Sequence, residues 1–412
     1  MRPYAWVVRC CYLGMFVQAM VINLTPLLFI PLREQFDLTF EQIGRLVLVN
    51  FLTQMAVDLA CTALADRVNP KPLVIGANFL AAVGLWVFSI SPFFFADPYV
   101  GLLLGTVIFS VGCGLLEVLL SPIINAVPSE RKSGDMALLH AFYPIGKVAV
   151  VLVTGLVLYF LGAGAWPWIL ITWSVVPVAN TLAFAFVRLP PLAPPEARQT
   201  LRSMFQKPEI FLLLAAMAMA GATEVTIAQW ASAYVEKGLG FTKLVADLAG
   251  LCLFAVGMVI GRLWFGLRGE HGNLRPVMLA SATWSAVMCL LMVTPLPAWI
   301  ALAACATSGL FVTMLWPGSI SLAAARFPLA GASLFALLAA AGDSGAALMP
   351  WLVGVIADHA SGWNAQWLES FFGPSFGAQS LGLRVGLLAT ALCPLLMLPL
   401  VRRLTRGDDL KQ

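Results

Sequence analysis

Twelve apolar stretches, each about twenty residues long and separated by short polar turns, fill almost the entire chain. They centre near Met15, Thr53, Ala82, Gly112, Leu152, Val176, Gly221, Phe254, Thr283, Ser308, Leu338 and Thr390. A helix needs ~20 residues to cross the hydrocarbon core of a bilayer, so each stretch is predicted to be one span. Little is left between them. Of the 412 residues 60% are hydrophobic and 11% charged, where soluble domains carry about 25% charge, and mean hydropathy is +0.90. The chain therefore reads as an all-α polytopic membrane protein, and twelve spans without a soluble domain bound it to transporter-like folds.

Basic residues set the orientation, because Lys and Arg near span ends gather on the cytoplasmic side. With the N-terminus inside, 17 of the 24 Lys and Arg fall on cytoplasmic turns, five fall outside (Arg33, Arg45, Lys237, Lys243, Arg384) and two, Lys147 and Arg262, fall within spans. Both termini are thus expected in the cytoplasm, with the protein in the cell inner membrane and monomeric. The net charge of +4 is this bias and gives no support for nucleic-acid binding; the expected partners are the bilayer and a small-molecule solute. The first stretch, with its Arg-Pro start and no small-residue cleavage site before Pro26, reads as a retained span. Eight cysteines lie in apolar stretches without CxxC spacing and read as packing residues. With three histidines in the chain, a metal site lacks ligands. No phosphate-cradling loop, nucleotide fold or catalytic triad is visible, so no cofactor and no enzymatic activity are expected, and transport must draw on gradients.

The longest cytoplasmic connection, Leu189-Pro190-Pro191-Leu192-Ala193-Pro194-Pro195 running on to Lys207-Pro208, divides the chain into six spans and six. Proline favours an extended, semi-rigid linker. The organisation expected is an N-terminal half over 1–188, a linker over 189–208 and a C-terminal half over 209–412, as two repeated halves would give. Residues 358–378, carrying Trp363, Trp367, Phe371, Phe372 and Phe376, read as an extracellular helix lying at the interface, with a cap over the entrance as the alternative.

Six charges lie within the apolar stretches: Asp58, Glu117, Glu224 and Asp343 against Lys147 and Arg262. An acid at the centre of a span costs ~2.5–3.5 kcal/mol on insertion scales, so such residues face a cavity, pair, or carry protons. Glu117 stands 13 residues before Glu130 and Lys147 stands 17 after it, so a hairpin turning there sets the two at similar depth as a charge pair. Two acids are then left without an obvious base. A carboxylate in that position takes up a proton, which is how a carrier moves H+ with its cargo; ringed by hydroxyls and carbonyls it also suits Na+. Asp58, eight residues before Asp66, couples protons or braces the cytoplasmic turn. Arg262 can reach the interface by snorkelling. Gln18, Asn23, Asn50, Gln54, Gln229, Trp230 and Trp316 supply amides and aromatic faces of the kind that bind sugars, and Trp316-Pro317-Gly318 marks a broken or bent helix whose freed carbonyls can line a cavity.

The turn Asp66-Arg67-Val68-Asn69-Pro70-Lys71 resembles the signature between the second and third spans of the major facilitator superfamily, with Thr62 and Asn69 where that pattern has glycine. The resemblance implies twelve transmembrane helices in two six-helix halves that rock around a site near the midplane. It also implies a cytoplasmic gate at Asp66, Arg67 and Lys71, to which Arg262 would contribute. Gly112-Cys113-Gly114-Leu115-Leu116-Glu117, His140-Ala141-Phe142-Tyr143-Pro144 and Gly221-Ala222-Thr223-Glu224 are similar to segments of the fucose permease and sodium-dependent glucose transporter branch. On that likeness Glu117 falls on a coupling acid, and His140 and Tyr143 fall on sugar-contacting positions. Pro26 or Thr25 stands where the permease has its first-span acid. The expected function is symport of a sugar or similar polyhydroxylated solute with H+. The alternatives are efflux of amphipathic compounds by H+ antiport and a non-transporting sensor or lipid-handling role.

Overall fold

The computed structural model describes residues 4–64, 69–128, 132–190, 205–268, 274–327, 331–360 and 378–405. Every regular element among them is helical. Twelve helices among the described residues are long and apolar enough to cross a membrane: Ala5–Phe36, Phe40–Cys61, Pro70–Phe93, Pro98–Ile124, Leu138–Leu161, Ala163–Phe186, Pro208–Gly238, Lys243–Trp264, Leu274–Val293, Ala298–Ala323, Ala336–His359 and Ser380–Leu404. They are called the first to twelfth spans below. Each expected centre falls inside one of them, and the chain is an integral, multi-pass membrane protein.

Proline decides which spans are continuous. It donates no N–H, and its ring collides with the carbonyl four residues earlier. The sixth span breaks after Trp173, four residues before Pro177, between helices Trp166–Trp173 and Val175–Phe186. The tenth breaks at Thr313, four before Pro317, between Ala298–Val312 and Leu315–Arg326. The twelfth breaks after Thr390, four before Pro394, between Ala378–Thr390 and Leu392–Leu404. The bend expected at Trp316-Pro317-Gly318 is the second of these. In the tenth span the Thr313 hydroxyl donates to the Met258 carbonyl of the eighth at 3.1 Å.

The chain divides into two compact units, one made of Met1–Phe36 and Val49–Ala197 and the other of Asp37–Leu48 and Arg198–Gln412. In the first, a buried amide clamp ties three spans together. Asn180 Nδ2 of the sixth span donates to Asn78 Oδ1 of the third at 2.9 Å and to the Cys10 carbonyl of the first at 3.2 Å. In the second, the seventh and eleventh spans cross on glycine: a Cβ at Gly221 would overlap the Gly342 carbonyl, and one at Gly345 would overlap that of Ala218. Residues 37–48, the opening turns of the second span, belong to this second unit and are held by the eleventh span. The Asp358 carboxylate accepts from the Phe40 N–H at 3.1 Å and the Glu41 N–H at 2.6 Å, and Trp351 Nε1 donates to Glu41 at 2.7 Å.

Candidate functional site

In the first unit the polar side chains inside the spans converge. Gly114 of the fourth span lies against Gln54 and Val57 of the second, and that close approach brings the next turn of each helix together, carrying Asp58 and Glu117. The two carboxylates are within electrostatic reach of each other. Asp58 is 1% exposed, and neither of its carboxylate oxygens has a hydrogen-bond partner among the described residues. Glu117 accepts from Gln18 Nε2 of the first span at 2.8 Å. Gly146 of the fifth span packs on Phe16 and Ala19, which sets the buried Lys147 in the same layer as Gln18. One turn beyond Gln54, Asn50 Oδ1 accepts from Gln54 Nε2 at 3.0 Å and from the Ser110 hydroxyl at 2.6 Å. Four spans thus contribute to, or border, one polar layer: Gln18, Asn50, Gln54, Asp58, Ser110, Glu117 and Lys147.

Asn23 Nδ2 donates to the Ala19 carbonyl of its own helix at 2.8 Å. His140 is exposed and Tyr143 half-buried. Lys71 Nζ donates at 2.9 Å to the Ala185 carbonyl, at the end of the sixth span. With Asn69, Ile75, Gly76 and Phe79 it lines an open groove of about 570 Å³. Asp66 and Arg67 lie outside the described residues, as does most of the aromatic segment 358–378.

The second unit places its charges differently. Glu224 Oε1 accepts from Arg262 Nη2 of the eighth span at 3.3 Å, an ion pair with side chains 11% and 28% exposed. Gln229 is buried one turn further along. Trp230 is fully buried, its Nε1 donating to the Pro350 carbonyl at 2.9 Å. Asp343 is buried on the eleventh span, and the Trp316 ring lies flush against the neighbouring Gly342. Glu224, Gly221, Gly342 and Trp316 are therefore close along one crossing, while Asp343 occupies the next position of the same helix.

Two buried charges of this unit go beyond the six read from sequence. Asp247 is fully buried near the start of the eighth span, and Arg384, placed outside by the charge count, is 1% exposed within the twelfth. Arg384 Nη1 donates to the carbonyls of Val293 and Thr294 at 3.4 and 3.1 Å, closing the end of the ninth span, and the Tyr234 hydroxyl donates to the Met292 carbonyl beside them. A twenty-residue window around Phe254 already contains Asp247, and one around Thr390 contains Arg384. Counting charges by window, with no assumption about loop edges, finds both. No group of three or more His, Cys, Asp or Glu able to hold a metal ion exists among the described residues.

Residues 11–267 match the family model described as Major Facilitator Superfamily. No curated protein matches the sequence. Among solved structures the chain is similar to the D-xylose-proton symporter (TM-score 0.75, 15% identity, 95% of this chain and 97% of that one). It is also similar to a bacterial homologue of the human lysosomal transporter Spinster (TM-score 0.72, 15% identity, 98% and 97%). A third is the E. coli fucose:proton symporter (TM-score 0.65, 16% identity, 98% and 100%). At such identities the likeness is one of fold. The family match covers well over half of the sequence, and with the twelve spans and a fold shared along nearly the whole length it makes the protein a carrier and not an enzyme: the chain belongs to the major facilitator superfamily.

Proposed function

We propose that this transporter moves a small polar solute, a sugar or similar polyhydroxylated compound, in symport with H+, and that Asp58 and Glu117 carry the proton. The observation that supports it best is the acid pair of the first unit, in which the buried Asp58 makes no hydrogen bond among the described residues and the half-buried Glu117 is held by a neutral amide. A buried carboxylate that is neither paired nor solvated is a functional group by default in a membrane. Protonation of one acid removes the repulsion from the other, and a solute hydroxyl arriving at Gln18, Asn50 or Gln54 competes for the same hydrogen bonds. Solute and proton then favour the same state of the layer, which is the differential interaction that coupling requires. The solved symporters of xylose and fucose share the fold and lend the solute class.

Alternating access by two six-helix halves, with both chain termini in the cytoplasm, is part of the same proposal. The test is uptake into proteoliposomes under an imposed proton gradient, after a thermal-shift screen of sugars, nucleosides and organic acids has named a ligand that stabilises the folded state. Uptake driven by the gradient and lost in Glu117→Gln is expected. Uptake that follows a Na+ gradient, or that survives Glu117→Gln unchanged, would overturn the role given to the acid pair. Outward flux of amphipathic compounds would replace the import reading.

A further inference from the structure

In the second unit the eighth span opens on a lysine that folds back onto an acid. Lys243 is its first residue and Asp247 lies one turn in. Ser232 of the seventh span faces them. The Ser232 hydroxyl donates to Asp247 Oδ1 at 2.6 Å. Lys243 Nζ donates to Ser232 Oγ at 2.9 Å and also to Asp247 Oδ1 in a very close ion pair. Ser232 and Asp247 are fully buried, whereas the Lys243 side chain is 26% exposed. The second carboxylate oxygen, Asp247 Oδ2, is buried with no hydrogen-bond partner among the described residues.

An i,i+4 ion pair at a helix surface needs none of this. Such pairs contribute about 0.3–0.5 kcal/mol, and burying a polar oxygen unsatisfied costs more than that. The surroundings are also irregular. One π-helical turn, Tyr234–Gly238, follows Ser232 and another, Ala246–Cys252, carries Asp247 itself, and such turns gather at functional sites. Hydroxyl and carboxylate oxygens are the ligands that hard cations take. The carboxylate supplies a single negative charge, which one monovalent cation neutralises. The ammonium occupies that place, entering from the more exposed side on a flexible stem.

We infer that Ser232 and Asp247 form a cradle for a monovalent cation, which Lys243 fills with its own ammonium and so closes to Na+. Resting on the proton-coupled reading above, this makes Lys243 the residue that excludes Na+ from the second unit. Removing the ammonium while keeping the stem opens the cradle.

The experiment measures ion binding alone, so its outcome is independent of any transport assay. Purified wild type, Lys243→Met, Lys243→Gln and the double variant Lys243→Met/Asp247→Asn are melted in NaCl and in choline chloride of equal ionic strength. The wild type is expected to melt at the same temperature in both salts. Lys243→Met and Lys243→Gln are expected to gain a saturable, Na+-dependent rise of about 2 °C or more, which the Asp247 change abolishes. A Lys243→Met protein that is folded in Na+ and not in choline gives the same answer. The inference is overturned if neither lysine variant is stabilised by Na+ over choline, if Na+ stabilises the wild type equally, or if the effect survives Asp247→Asn.

Discussion

Both units hold acids inside or at the ends of their spans and treat them in opposite ways. In the second unit Glu224 is bonded to Arg262 and Asp247 to Lys243, and Asp358 caps the opening turn of the second span. In the first unit Glu117 is held by the neutral amide of Gln18, and Asp58, its electrostatic neighbour, has no hydrogen bond among the described residues. A charge neutralised by a fixed partner stays where the fold put it, because separating the pair leaves two buried charges uncompensated. A carboxylate without such a partner can change its protonation at little cost to its neighbours. The difference teaches that buried charge by itself does not mark a coupling residue; its bonding does.

The largest expected effect follows directly. Asp58→Asn and Glu117→Gln should each lower proton-driven uptake roughly tenfold or more, the size of a typical coupling free energy, while exchange of solute without net proton movement persists. Stability should respond differently from function. Asp58→Asn takes away a buried acid that makes no hydrogen bond among the described residues, so the variant should melt no lower than the wild type, as is common where an active site stores destabilisation. A melting temperature that falls sharply in Asp58→Asn would show that the carboxylate is held by the fold and would erase the contrast between the units.

Much of this was legible in the sequence and the rest was not, for identifiable reasons. Span positions depend on local hydropathy, which no packing can reverse, so all twelve centres were readable. The bend before Pro317 is local chemistry too, and the same rule applied to Pro177 and Pro394 gives the other two breaks. Glu117 was visible as a charge in hydrocarbon. Its bond to Gln18, 99 residues earlier, was not, because it depends on how the first span packs on the fourth, and counting residues from a turn compares depths without choosing neighbours. Asp58 seemed divided between coupling and the cytoplasmic turn. At Gly114 the second span closes on the fourth, which brings Asp58 within electrostatic reach of Glu117 and supports the coupling role proposed above. Asp247 and Arg384 escaped because a charge close to a span end looks like loop, and long side chains there can be drawn inward.

A smaller effect sharpens the comparison from the other side. Glu224→Gln should destabilise the protein by about 1–3 kcal/mol, below the cost of breaking a fully buried pair because the Arg262 side chain keeps access to solvent. Adding Arg262→Gln should restore part of that loss, since no charge is then left without its partner. Thermal melting of the two single variants and the double variant measures it. Strictly additive losses would mean that the two side chains do not interact, and Glu224 would then join Asp58 and Glu117 as a candidate for proton uptake.

The smallest effect separates an acid's charge from its geometry. Asp358 accepts from two N–H groups at the start of the second span, donors that a helix cannot satisfy internally. Asp358→Ala removes both acceptors and should cost about 1 kcal/mol, the usual value of a cap. Asp358→Asn keeps one acceptor oxygen, and so one of the two hydrogen bonds, and loses the favourable charge at the positive end of the helix, worth roughly 0.3–1 kcal/mol where exposure and salt permit. The order of melting temperatures should therefore be wild type, then Asn, then Ala, with the proton dependence of uptake unchanged throughout. Because the Asn variant removes the charge while keeping part of the cap, it is the discriminating case. If it altered proton coupling as strongly as Glu117→Gln, an acid with two fixed hydrogen bonds would be acting as a titrating group, and bonding would no longer tell coupling acids from structural ones.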